Sequence, residues 1–139
     1  MQRILVPVDG SKPSERAVRH VIGLGAAGMS LQVLLLNVQP EWAPARSREE
    51  EKEGKRLHEQ AAERATRRSR ALLEAAGIPY ESRMLVGDAA ESIMKLARTR
   101  DSSHIVMGMR GRGALARVVL GSVSMKTLQL AKVPVTLVK

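Results

Sequence analysis

The chain has no cysteine, no phenylalanine, one tryptophan and one tyrosine in 139 residues. The missing thiols exclude disulfides, zinc–thiolate sites and cysteine nucleophiles. The scarcity of rings means the interior must be aliphatic, because 44% of the residues are nonetheless hydrophobic. It also weighs against single-stranded nucleic acid, whose bases are usually stacked on aromatic side chains. No apolar run approaches the roughly 18 residues of a transmembrane helix. The run Ile4 to Val8 is too short for the core of a signal peptide. These absences predict a soluble, cytoplasmic protein with no membrane partner, and the length predicts one domain, residues 1–139, around one core.

Negative charge is missing in one place. After Asp101 there is no Asp or Glu, while Arg110, Arg112, Arg117, Lys126, Lys132 and Lys139 follow. The C-terminal third is therefore built to attract anions. The rest of the +9 net charge has a blander explanation. Between Arg46 and Glu74, nine Lys/Arg residues alternate with seven Glu, the pattern of a solvated helix laced with ion pairs. A nucleic-acid partner is the use of this charge that the residues favour least.

What is present alternates between strand and helix. Arg3 to Val8 (RILVPV) reads as a buried strand ending in the turn Asp9-Gly10-Ser11. Ser11 or Ser14 can cap the helix that follows, and Ala17, Val18, Val21 and Ile22 form its apolar stripe. Leu31 to Val38 (LQVLLLNV) is a second buried strand, and Gln39 to Ser47 a loop. A polar helix is expected over about Arg48 to Ala76, with Leu57, Ala61, Ala65 and Leu72 facing inward, stopped by Gly77-Ile-Pro79. Tyr80 to Val86 alternates, as an edge strand does. Asp88-Ala-Ala-Glu91 resembles a capping box and opens a third helix through Ile93, Leu96 and Ala97. His104 to Met107 and Val133 to Val138 are further strands, separated by a helix over about Ser122 to Leu130. Continuous aliphatic strands alternating with helices predict a doubly wound, Rossmann-like α/β domain: a five-stranded parallel sheet with helices on both faces.

Two glycine clusters compete as a phosphate site. Gly23 to Gly28 (GLGAAG) fits the dinucleotide fingerprint G-x-G-x-x-G letter for letter. It follows a helix and precedes a strand, however, where carbonyls and the negative end of the helix dipole repel phosphate. There Gly25 and Gly28 are expected to end the first helix and allow a tight turn. The segment Gly108 to Ser122 (GMRGRGALARVVLGS) leaves the fourth strand at its C-terminal end and runs into a helix N-terminus. Phosphates bind there in open parallel sheets. Gly108, Gly111 and Gly113 can bring main-chain amides close to an anion, Arg110 and Arg112 add charge, and Gly121 and Ser122 begin the helix. A Walker sequence is absent, because Gly113 is followed by Ala-Leu, and no acidic residue stands where an NAD ribose would need one.

The spacing Gly108-x2-Gly111-x9-Gly121-Ser122 resembles the ATP-binding signature of the universal stress protein family, G-x2-G-x9-G-S/T. The resemblance spans the chain: ILVPVDGS, LLLNV, GDAAESI, IVMG, LGSVS and VPVTLV occur in family order. It implies a sheet of order 3-2-1-4-5 with ATP across the boundary of strands one and four. It further implies contacts from Pro7, Val8 and Asp9, and main-chain hydrogen bonds from Val38 to adenine. Gly108, Met109, Arg110 and Gly111 would lie along ribose and phosphates. Gly121, Ser122, Val123 and Ser124 would hold the triphosphate. Pairing of the last strands, Val133 to Val138, would make a homodimer. Two positions depart from the family pattern: Met109, where a Ser or Thr hydroxyl is common, and His104, where Asp is common.

Asp9 has two readings: a ribose contact or Mg²⁺ ligand, and a turn carboxylate bonded to the amides of Gly10 and Ser11. It is the sole acid expected near the cleft. No paired-carboxylate, Ser/His/Asp or two-histidine arrangement accompanies it, and His20 and His58 fall on helices elsewhere. The expected function is therefore an ATP-dependent stress sensor with little or no turnover, no catalytic residues and an unknown regulatory partner. A slow ATPase or phosphotransferase and a dimeric scaffold without nucleotide remain as alternatives.

Overall fold

The computed structural model describes residues 1–109 and 120–139. In chain order the elements are β1 (Gln2–Pro7), α1 (Lys12–Ala26), β2 (Leu31–Gln39), α2 (Arg48–Ala75), β3 (Tyr80–Val86), α3 (Ala89–Thr99), β4 (His104–Gly108), α4 (Ser122–Leu130) and β5 (Val135–Val138). The strands form one sheet of order β3-β2-β1-β4-β5, every neighbouring pair parallel. Gln2 to Pro7 faces Leu31 to Leu36 residue by residue, and Ile4 and Leu5 face His104 and Ile105 on the other side. No helix among the described residues is long and apolar enough to cross a membrane.

Alternation along the strands divides the core into two layers. Ile4, Val6, Val33, Leu35 and Val106 pack with Ala17, Val18 and Val21 of α1 and Leu73 of α2. Leu5, Leu34, Leu36, Ile105 and Met107 face the opposite way, onto Ile93, Leu96 and Ala97 of α3. Each fully buried aliphatic side chain contributes on the order of 1.5–3 kcal/mol. Strands covered on both faces have no polar position to spare, hence the unbroken Leu34-Leu35-Leu36.

The helix starts follow local capping chemistry. Ser11 caps α1 by accepting from the Ser14 amide at 3.3 Å, and Asp88 caps α3 by accepting from the Glu91 amide at 3.0 Å. Ser47 caps α2 through the Glu50 amide. The mixed charges of α2 form the expected exposed pairs, among them Arg68–Glu15 at 2.8 Å and Arg70–Glu63 at 2.5 Å. Such pairs contribute little individually.

Three sequence expectations are corrected. Gly25 does not end α1: the helix continues to Ala26, and the turn is made by Gly28 at φ +101°, a conformation that disfavours a Cβ. The inner stripe of α2 is displaced by one residue. Leu57 is 41% exposed, whereas His58, Ala62, Thr66, Ser69 and Leu73 are buried. Small side chains let this long helix lie close on the sheet, and the Thr66 hydroxyl satisfies itself on the Ala62 carbonyl at 2.8 Å. Hydrophobic lettering alone picks the neighbouring stripe, because one residue is only about 100° of rotation. Finally, β5 begins at Val135, not Val133, after Pro134, whose carbonyl accepts from the Ile105 amide at 2.9 Å.

Candidate functional site

β1 and β4 are hydrogen-bonded neighbours, yet the elements that follow them lie on opposite faces. α1 packs in the layer with α2, while α4 contacts α3. The chain therefore parts beyond the C-terminal ends of these two strands, the position at which doubly wound sheets hold ligands.

One wall is the exit of β1. The Val8 amide still donates to the Leu36 carbonyl at 2.8 Å, but the Val8 carbonyl accepts from the side-chain amide of Asn37, also at 2.8 Å. Asn37 is buried, and its own oxygen accepts from Nε2 of Gln39 at 2.6 Å. The next residue, Asp9, turns Oδ1 onto the Ser11 amide at 2.9 Å, and its own amide faces the Ser14 hydroxyl at 3.4 Å. The Asx turn read as one option for Asp9 is thus present, formed with Ser11. Beside it, Val38 has its main-chain N–H and C=O on the same edge of β2 as the Leu36 carbonyl, two residues away, and so faces the space past the end of β1.

The opposite wall joins the exit of β4 to α4. Met109 donates its amide to the Val138 carbonyl at 3.1 Å and accepts from the Gly121 amide at 2.8 Å. These bonds place Gly121, the residue capping α4, directly beside the end of β4. No side chain among the described residues caps that helix, so its first amides have neither an intrahelical nor a capping acceptor. The Ser122 and Val123 side chains are exposed, and the helix has no acidic residue in its first turn. Ser124 differs: it is buried, and its hydroxyl donates to the Gly108 carbonyl at 2.9 Å, holding α4 against β4. What α4 can offer an anion is its free N-terminal amides, the Ser122 hydroxyl and the positive end of its dipole.

A model of the universal stress protein family matches residues 1–139, the whole chain. The chain belongs to the universal stress protein family. It is 29% identical over 140 residues to universal stress protein MJ0531 of Methanocaldococcus jannaschii, a match covering 99% of this chain and 82% of that protein. The structure of hypothetical protein MJ0577 superimposes with a TM-score of 0.83 at 29% identity, covering 99% of this chain and 95% of that one. Three further structures share the fold, with TM-scores of 0.73, 0.73 and 0.67 at 24%, 19% and 22% identity. They are a universal stress protein in complex with cAMP, an Arabidopsis thaliana family protein with AMP bound, and an Archaeoglobus fulgidus universal stress protein in complex with dAMP. Each covers at least 99% of this chain, and this chain covers 97%, 92% and 98% of theirs.

Within this family member, Pro7, Val8, Asp9, Val38, Gly108, Met109, Gly121, Ser122, Val123 and Ser124 lie on the strand ends, the turn after β1 and the first turn of α4. Arg110, Gly111 and Gly113 lie outside the described residues. Gly108 has a packing reason to be glycine: a Cβ there would stand 2.7 Å from the carbonyl carbon and oxygen of Pro13, in the first turn of α1. His104 lies at the start of β4, at the opposite end of the strand from the cleft. Burial, with His20 adding a smaller effect, holds its pKa below the ordinary histidine value. Lys126, one turn into α4, is paired with Asp88 at 3.0 Å and Glu91 at 3.8 Å. The Glu91 amide, and then Lys126, keep the Asp88 carboxyl below its usual range. No group of three or more His, Cys, Asp or Glu placed to hold a metal occurs among the described residues.

Sequence reasoning missed Asn37 and Gln39, which shape the wall at β1, and read Ser14 only as a possible helix cap. One signal was available. Asn37 is the one polar letter inside LLLNV, and a polar side chain in a doubly covered strand must have a specific partner.

Proposed function

We propose that this chain binds an adenine nucleotide, ATP, across the C-terminal ends of β1 and β4, and acts as a nucleotide-dependent regulator with little or no turnover. The observation that carries this reading is the N-terminus of α4, glycine-capped and without a side-chain cap, held beside the end of β4 by the Met109–Gly121 bond. Free helical amides and a dipole are a binding site for phosphate. The Val38 main chain supplies a donor and an acceptor for a base edge at the other wall. Bound AMP, cAMP and dAMP in proteins of the same fold support the choice of adenine. The C-terminal third, with its six basic and no acidic residues after Asp101, favours a polyanion. In this reading Asp9 sits at the ribose and can meet a Mg²⁺ carried in by the phosphates, although Oδ1 already serves the turn.

Turnover would need a group to position water near the γ-phosphate. Asp9 is the acid that the cleft offers, so a slow ATPase is the second reading. Phosphate release over many turnovers that vanishes in Asp9→Ala would favour it. The apolar, half-buried edge strand Val135–Val138 suits pairing with a second copy, and a homodimer is part of the proposal.

Mass spectrometry of small molecules released by heating the purified protein tests the central reading, with ATP or another adenine nucleotide expected. Gly121→Val would place a branched side chain at the mouth of α4. It is expected to lower ATP affinity at least tenfold by calorimetry while leaving the circular dichroism spectrum unchanged. Unchanged affinity would show that the phosphates bind elsewhere.

A further inference from the structure

The Val8 carbonyl would be the next acceptor of the ladder between β1 and β2, and a side chain fills the role of its partner. In a parallel pair running on from the Val8 amide and the Leu36 carbonyl, that carbonyl would turn to the main chain of Val38. Instead it accepts from Nδ2 of Asn37 at 2.8 Å. Asn37 cannot rotate freely. Gln39, two residues on and therefore on the same face of β2, donates Nε2 to its oxygen at 2.6 Å. This bond also decides which end of the Asn37 amide points at Val8. Gln39 is itself fixed, its carbonyl accepting from the Gly87 amide at 3.0 Å. The relay runs from the loop after β3, through β2, to the last residue before Asp9.

We propose that Asn37 is a positioning residue that sets base specificity in this cleft, a role resting on the nucleotide reading above. By taking the Val8 carbonyl, its side chain ends the ladder between β1 and β2 and leaves the main chain of Val38 turned toward the base. A peptide N–H and C=O offered side by side complement a ring acceptor next to an exocyclic amine, which is the Watson–Crick edge of adenine. Guanine presents the reverse order, a ring N–H beside a carbonyl oxygen. Asn37 touches no ligand atom; it keeps the peptide at 38 available and the β1 exit in register.

The test compares wild type, Asn37→Asp and Gln39→Leu, each stripped of nucleotide, by calorimetric titration with ATP, GTP and tripolyphosphate. Asp at 37 still accepts from Gln39, but its carboxylate repels the Val8 carbonyl. Leu at 39 releases Asn37 to rotate. Wild type is expected to prefer ATP over GTP by at least tenfold. Asn37→Asp is expected to lose about tenfold in ATP affinity, the loss of one to two hydrogen bonds, with the preference collapsing toward unity. Gln39→Leu should move in the same direction by less. Tripolyphosphate, which reads only the phosphate end, should bind all three proteins alike.

An unchanged ATP to GTP ratio in a folded Asn37→Asp protein overturns the proposal while the nucleotide reading stands. So does an equal loss of ATP and tripolyphosphate, which would mark a general structural role. If Asn37→Asp fails to fold, Gln39→Leu decides by the same ratio. Wild type that binds neither ATP nor tripolyphosphate ends the nucleotide reading, and the proposal with it.

Discussion

Gly108 can be glycine for two reasons, and one substitution separates them. A Cβ at this position would lie 2.7 Å from the Pro13 carbonyl carbon and oxygen and 2.8 Å from Pro13 Cβ. That is about 0.8 Å inside the roughly 3.5 Å optimum for such contacts. The obstacle is the backbone of the first turn of α1, fixed by the Ser11 cap and by Ser14, whose hydroxyl donates to the Ser11 carbonyl at 3.0 Å. Neither side can give way without moving the helix from the sheet. Gly108→Ala is therefore expected to destabilise the nucleotide-free protein by about 1–3 kcal/mol, the usual range for overpacking. At this chain length that lowers Tm by roughly 3–10 °C. Two substitutions calibrate the measurement. Gly23 lies inside α1 with nothing within 4 Å of an added methyl, so Gly23→Ala should stabilise by up to about 1 kcal/mol through helix propensity. Gly28 has equally open surroundings but φ +101°, so Gly28→Ala should cost about 1 kcal/mol from backbone strain alone. Thermal and urea unfolding of the three nucleotide-free proteins gives the answer. A Gly108→Ala protein as stable as wild type would refute the packing argument, and lost ATP binding in that same protein would assign the glycine to the ligand.

The displaced stripe of α2 predicts that Leu57→Gln changes stability by less than about 0.5 kcal/mol, whereas Leu73→Ala costs about 2–5 kcal/mol. Equal effects in urea denaturation would restore the stripe read from hydrophobicity. The pKa of His104 is depressed in the folded state, so the unfolded chain binds the proton more readily. Stability is therefore expected to fall as pH drops through and below about 6.5, the ordinary histidine value, and to be insensitive to this group above it. His104→Gln should flatten that acid limb in urea midpoints measured between pH 7 and 5, and an unaltered slope would show that another group is responsible.

The elements were legible because each obeys a local rule. Unbroken aliphatic runs marked the doubly covered strands. Ser11, Ser47 and Asp88 stand at the helix starts where a free amide needs an acceptor. The setting of the two glycine clusters was legible too: Gly28 follows the end of α1, whereas Gly108 ends β4 and Gly121 caps α4, junctions that carry opposite partial charge. The order of strands came from resemblance to a family rather than from the residues, because nothing local in β3 states that it pairs with β2.

Composition, element types and the excess of basic over acidic residues after Asp101 were determined by the sequence alone, since they depend on the residues themselves and on neighbours a few positions away. Tertiary structure alone decided the rest. It turned the inner face of α2 by one residue, gave Gly108 its contact with Pro13, and set the Asn37 amide between Val8 and Gln39. Apart from the Asn37–Gln39 bond within β2, those facts rest on positions far apart in the chain, and no pattern of period two or 3.6 can encode which distant atom a side chain will meet.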